Sequence, residues 1–215
     1  MSTYYTADRW VALLQHLARQ GQDFLTLLAL QRLTGLGEGA ARKAVLRLEE
    51  KGYLTRVGRN LYANRFGHPT LERLAMILGA PCYISFESAL ERHGILSQVP
   101  LVLTCASTSR SERRQTPLGE ILFHRLRPAL FFGYRTEDGI LWAEPEKALL
   151  DWLYIHRKHH GVTPPLDELN REPLDIERLW DWARHYPRPV RAALGAIGPG
   201  EGETMASSAP PKEAL

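Results

Sequence analysis

Two cationic groups carry the side chains best suited to chemistry in this chain. The first is Arg42, Lys43 and Arg47, followed by Arg56, Arg59 and Asn60. At about 100° per residue, Ala41, Ala44, Val45 and Leu48 share one helix face, and Lys43 and Arg47 point to the opposite side. A helix held by an apolar stripe, with cations on its outer face, has the shape and charge to enter a DNA major groove. The second group is Arg110, Arg113 and Arg114, with Arg125 and Arg127 beyond. It is a candidate for additional phosphate contacts or for an acidic partner surface. The solvated face of an ordinary element is written the same way, so the neighbouring elements must decide.

Catalytic and metal-binding patterns are weaker. His156, His159 and His160 form an H-x-x-H-H cluster at the end of an apolar helix. No Glu completes a metalloprotease-type motif, Arg157-Lys158 would repel a cation, and cationic residues at a helix C-terminus already complement its dipole. Glu144, Glu146 and Asp151 can be offered as catalytic carboxylates, but Glu146 suits a first helical turn and Asp151 falls one turn after Lys147 as an i,i+4 partner. Cys105 and His124 can be drawn as a nucleophile pair, but a Cys within an apolar strand is more often inert. There is no P-loop, no G-x-S-x-G and no Gly-rich phosphate cradle. The expectation is a protein without enzymatic activity, cofactor or metal.

The 215 residues are 44% hydrophobic and 24% charged, a globular composition with length enough for two cores. The net charge of +3 is unevenly placed: residues 1–63 hold nine Lys/Arg against five Asp/Glu, and 64–215 hold 18 against 19. The basic excess therefore sits where phosphate contacts would need it. Two cysteines are too few for a disulfide framework. No 18-residue apolar run exists and MSTYYTADRW lacks the regions of a signal peptide, so a soluble cytoplasmic protein is expected.

The elements that must position the first cationic group read as follows. Asp8 is a plausible N-cap for a helix carrying Trp10, Val11, Leu14 and Leu17. A Leu-rich element follows from Phe24 to Leu33, and Leu36-Gly37-Glu38-Gly39 turns into the basic helix. Short β-like segments, Tyr53 to Val57 and Leu61 to Ala63, then surround a Gly58-Arg59-Asn60 tip. Helix, helix, turn, helix and wing is a winged helix-turn-helix order, assigned to residues 1–64. Arg65 to Pro69 reads as a linker, and 70–197 as a second domain. There the pattern predicts a helix over Thr70 to Leu78, strands at Cys82 to Ile84, Leu101 to Cys105, Ile121 to Leu126, Leu130 to Tyr134 and Ile140 to Ala143, and a polar loop over Ser107 to Arg114. Helices are predicted from Phe86 to Arg92, from Pro145 to His156, from Ile176 to His185 and from Val190 to Ile197. Residues 198–215 read as a disordered tail. The fold class is α+β: a winged helix-turn-helix followed by a mixed α/β domain whose small sheet is flanked by helices.

Within the second domain, Tyr83-Ile84-Ser85-Phe86-Glu87-Ser88-Ala89-Leu90, His93-Gly94-Ile95, Phe131-Phe132-Gly133-Tyr134 and Ala143-Glu144-Pro145-Glu146-Lys147-Ala148-Leu149-Leu150-Asp151 occur in order. Together they resemble the AbiEi family of type IV antitoxins and related transcriptional regulators, over about residues 9–160. The resemblance implies a protein that represses its own operon through promoter repeats. It also implies a C-terminal domain that counteracts a co-encoded nucleotidyltransferase-like toxin without needing a stable complex. Asn60 stands where the family usually has Gly, and Glu144 where it usually has a small hydroxyl residue. Asn tolerates left-handed φ, whereas Glu is the poorer N-cap. The resemblance carries no residue-level motif for antitoxin action. The alternative is a winged-helix regulator whose second domain senses a ligand or partner and opposes no toxin.

Overall fold

The computed structural model describes residues 5–160, 164, 166 and 168–197; the tail 198–215 lies outside them, as do the side chains of His159, His160 and Ala196. The chain divides into two compact units, residues 1–80 with 113–121, and residues 81–112 with 122–215. The architecture is α+β.

The first unit opens with α1 (Ala7–Arg19). Its cap is Thr6, whose hydroxyl accepts from the Arg9 amide at 3.4 Å; Asp8, the expected cap, lies inside the first turn, where a carboxylate favours the helix dipole. Trp10, Leu14 and Leu17 are its buried stripe. Phe24 to Leu33, expected as one element, is two: β1 (Phe24–Thr26) and α2 (Leu27–Thr34). Thr26 makes the break, because its hydroxyl accepts from the Ala29 amide while its backbone is still extended. Gly35, at φ 68, ends α2 in the left-handed region. After Gly37 comes α3 (Glu38–Glu50), with Ala41, Val45 and Leu48 buried, then the strands β2 (Leu54–Gly58) and β3 (Leu61–Asn64). The sheet order is β1-β3-β2, with both pairs antiparallel. One apolar core joins α1, α2, α3 and this sheet through Trp10, Leu14, Leu30, Val45, Leu54 and Tyr62.

The stretch read as a linker is pinned. Buried Asp23 accepts from the His68 amide at 2.9 Å and from Arg73 at 2.7 Å. A Cβ on Gly67 would stand 2.2 Å from the Asp23 carboxylate. Helix α4 (Leu71–Leu78), capped by Thr70, therefore clusters with the first unit rather than opening the second domain.

Beyond it come β4 (Cys82–Ile84), α5 (Phe86–Arg92), β5 (Leu103–Ser107), β6 (Glu112–Thr116), β7 (Gly119–Arg125), β8 (Tyr134–Glu137) and β9 (Ile140–Ala143). The helices α6 (Pro145–His160), α7 (Ile176–Ala183) and α8 (Arg188–Ala193) follow. The strands form one six-stranded sheet, in order β6-β7-β5-β4-β9-β8. Strand β5 sits two residues later than expected, because β4 pairs Cys82 with Ser107 and leaves Leu101 in solvent. Arg113 and Arg114 lie in strand β6, not in a polar loop. The strand expected over Leu130 to Tyr134 is replaced by a 3-10 turn, Pro128–Leu130, since Pro128 has no amide to give a ladder and the Leu130 amide bonds Arg127 instead. A two-residue turn with Asp138 at φ 50 and Gly139 at φ 79 closes the β8–β9 hairpin. Helix α8 starts two residues before the expected Val190 and passes into a 3-10 turn, Leu194–Ala196. The core of this unit is built around α6 by Phe86, Leu90, Leu149, Leu153, Leu179 and Val190.

Candidate nucleic-acid interface

Helix α3 is held against α1 and α2 by Ala41, Val45 and Leu48, which turns its other side outward. Arg42, Lys43 and Arg47 are all exposed there, but they are not equivalent. Arg42 gives two N–H groups to one Glu38 oxygen, at 3.0 and 2.6 Å, so its charge is already answered one turn back. Lys43 and Arg47 have no carboxylate partner among the described residues. They are the cations of this helix left for an incoming anion.

The wing follows directly. Gly52, at φ 67, turns the chain out of α3, and β2 packs back against that helix. Register is regular from Leu54↔Asn64 to Arg56↔Tyr62, then shifts by a bulge to Gly58↔Leu61, leaving Arg59 and Asn60 at the tip. Asn60 takes φ 54, the conformation Asn enters with the least penalty after Gly. Its carbonyl accepts from the Leu27 amide at 3.1 Å, tying the tip to the start of α2. Arg56 folds over the tip, donating to the Gly58 carbonyl at 3.4 Å, and exposed Arg59 has no carboxylate partner among the described residues.

This order of elements, with an outward cationic α3 and a basic tip after it, has a counterpart among known domains. Residues 6–58 match the model of the IclR helix-turn-helix domain, a winged-helix DNA-binding module. No curated protein matches the chain. Among solved structures, the chain is similar to the RV2827C protein from Mycobacterium tuberculosis. The TM-score is 0.59 at 15% identity, covering 92% of this chain and 80% of that one, a likeness of fold alone.

The remaining candidate residues are not gathered into a comparable site. Arg110 lies 3.7 Å from Glu112, and Arg113 is 2.6 Å from Glu120. Arg114 sits half-buried in β6. Cys105 is wholly buried opposite Ile84, and His124 packs edge-on against Phe86 at 4.9 Å. Among the described residues no three His, Cys, Asp or Glu side chains cluster as metal ligands, and no helix is long and apolar enough to cross a membrane.

One polar centre escaped the sequence reading. Lys147 and Asp151, expected as an i,i+4 pair, are fully buried on α6. Asp151 accepts from Lys147, from Tyr83 at 2.8 Å, from Ser85 at 2.9 Å and from Tyr186 at 2.7 Å. Lys147 also donates to the Tyr186 oxygen at 2.6 Å and lies 5.0 to 5.4 Å from the rings of Phe132, Tyr186 and Tyr83. Burial holds the Lys147 ammonium below its usual range, with Asp151 opposing. Burial and the Asp151 charge both hold the Tyr83 and Tyr186 phenols well above theirs. Glu146, also buried, accepts from the Asp175 amide and Arg178, which pairs in turn with Glu144. A signal existed: Ala148, Leu149, Leu150, Trp152, Leu153, Tyr154 and Ile155 surround α6 on every side, and a helix apolar all round leaves its polar residues no solvent face.

Proposed function

We propose that this protein is a winged-helix transcriptional repressor that binds its own promoter, with Lys43 and Arg47 entering the major groove and Arg56, Arg59 and Asn60 setting the wing on the backbone or minor groove. The observation that carries the reading is the pair of uncompensated cations on the outward face of α3, inside a helix-turn-helix domain. Arg42 contributes less, because Glu38 must first release it. Each phosphate neutralised adds about 0.9 to the slope of log affinity against log salt. Lys43→Ala with Arg47→Ala is expected to weaken binding to the DNA upstream of the gene and to reduce that slope by about one for each phosphate no longer neutralised. A gel shift across several salt concentrations reads both; unchanged affinity and slope would sink the assignment.

The finer reading is that the second unit makes the protein the antitoxin of a type IV toxin-antitoxin system, acting without catalysis against a co-encoded nucleotidyltransferase-like toxin. Its support is the ordered motif set, from which Tyr83, Ser85, Lys147 and Asp151 converge on one buried network. Co-expression with the neighbouring gene, scored by growth, tests it. A neighbour that is harmless alone leaves the plain regulator, with a ligand- or partner-sensing second unit.

A further inference from the structure

The first unit has a pocket of about 360 Å³ beside α3. Tyr5, Trp10 and Tyr53 supply its aromatic walls, and Lys43, Arg47 and Lys51 its rim. The walls are braced from behind: the Tyr5 ring stands 5.0 Å from Trp10, a core residue, and Tyr53 stands 5.6 Å from Phe66. Lys43 and Arg47 lie one turn apart on α3, and Lys51, its C-cap, continues that column. Among the described residues, none of those lining the pocket is acidic. Like charges one turn apart repel, and an anion set between them relieves that repulsion.

Apolar aromatic walls beneath a cationic mouth complement one ligand chemistry, an organic anion with a flat hydrocarbon body. Ligand pockets run from about 300 to 1,000 Å³, so this volume suits a one- or two-ring body and not a dinucleotide. We infer that the pocket binds a small aromatic carboxylate, its rings against Trp10 and Tyr53 and its carboxylate among Lys43, Arg47 and Lys51. The regulatory consequence rests on the DNA-binding reading above. Lys43 and Arg47 cannot serve a bound carboxylate and DNA phosphates together, so ligand binding lowers operator affinity.

The probe is 1-naphthoate, titrated into the full chain by calorimetry, with 1-naphthalenemethanol as the uncharged control. Ala40 lines the pocket and is exposed, so Ala40→Leu fills the space without altering a charge. Lys51→Met, at an exposed rim position, is the second variant. Saturable one-site binding is expected, weakened at least tenfold by Ala40→Leu, by Lys51→Met and by loss of the carboxylate. Absence of saturable binding, or binding that both variants leave unchanged, overturns the site. In a gel shift with the upstream DNA, saturating naphthoate is expected to lower affinity at least tenfold for the natural chain but not for Ala40→Leu. Unchanged DNA affinity at saturation overturns the regulatory coupling. A natural chain that fails to shift DNA without naphthoate counts against the repressor reading, and calorimetry alone then decides the pocket.

Discussion

Burial pushes the Cys82 thiol up from 9.0 to about 12, so between those values the unfolded chain releases a proton that the folded chain keeps. The contribution is fully present below pH 9 and is lost as pH rises toward 12, at up to about 1.4 kcal/mol per pH unit. Cys82→Ala is therefore expected to destabilise at neutral pH by loss of packing yet to flatten the fall in stability above pH 9, as read from urea midpoints at successive pH values. A natural chain and variant that fall in parallel would refute it. At Lys147 and Asp151 the partners decide which loss is worse. Lys147→Met leaves the carboxylate three hydroxyl donors, from Tyr83, Ser85 and Tyr186, whereas Asp151→Ala leaves a buried ammonium with, among the described residues, only the Tyr186 oxygen as acceptor. Breaking such a pair costs about 3 to 5 kcal/mol, and Asp151→Ala is expected at the upper end. Melting followed by circular dichroism ranks the two, and a larger loss for Lys147→Met would contradict the network as described.

The wing tip tests the fold one level up. Asn60 is at φ 54 between strands that already pair, so Asn60→Gly is expected to be nearly neutral, while a β-branched Asn60→Val meets a penalty of about 1 to 2 kcal/mol. A melting temperature unchanged in Asn60→Val would mean that the tip does not hold this turn. Asn60 also shows what was legible along the chain. Its neighbours signalled a hairpin, and the periods of α1, α3 and α6 gave these helices to within a few residues. Elements set by distant partners were harder. Phe24 to Thr26 is strand because β3 lies beside it, which no local period records. The Arg-rich stretch from Glu112 looked like loop because its cations hide strand alternation, although its exposure does alternate along β6. The cations of the candidate interface were readable as types and spacing. That Glu38 occupies Arg42 while Lys43 and Arg47 stay open emerged only from side-chain geometry. The burial of Lys147 and Asp151 is not legible from their spacing, because a polar pair one turn apart is usually solvated.

Across the whole molecule, charge and cores divide alike. The excess of cations lies in residues 1–63, and each compact unit has an apolar core of its own. An exposed substitution far from either core leaves the packing of both cores alone, so the two functions can be lost separately. Lys43 and Arg47 are exposed and bridge to no carboxylate among the described residues, so Lys43→Ala with Arg47→Ala is expected to shift stability by no more than about 0.5 kcal/mol. The double variant should then lose promoter binding, keep its melting profile and, where the neighbouring gene encodes a toxin, still protect growth on co-expression. Asp151→Ala is the complementary change, expected to lower the melting temperature and to abolish protection. The measurement is paired: promoter occupancy and growth rescue for the same two variants, with protein levels matched by immunoblot. If the double variant fails to protect at natural abundance, the DNA-binding face itself takes part in neutralising the toxin, and a division of labour between the units is wrong.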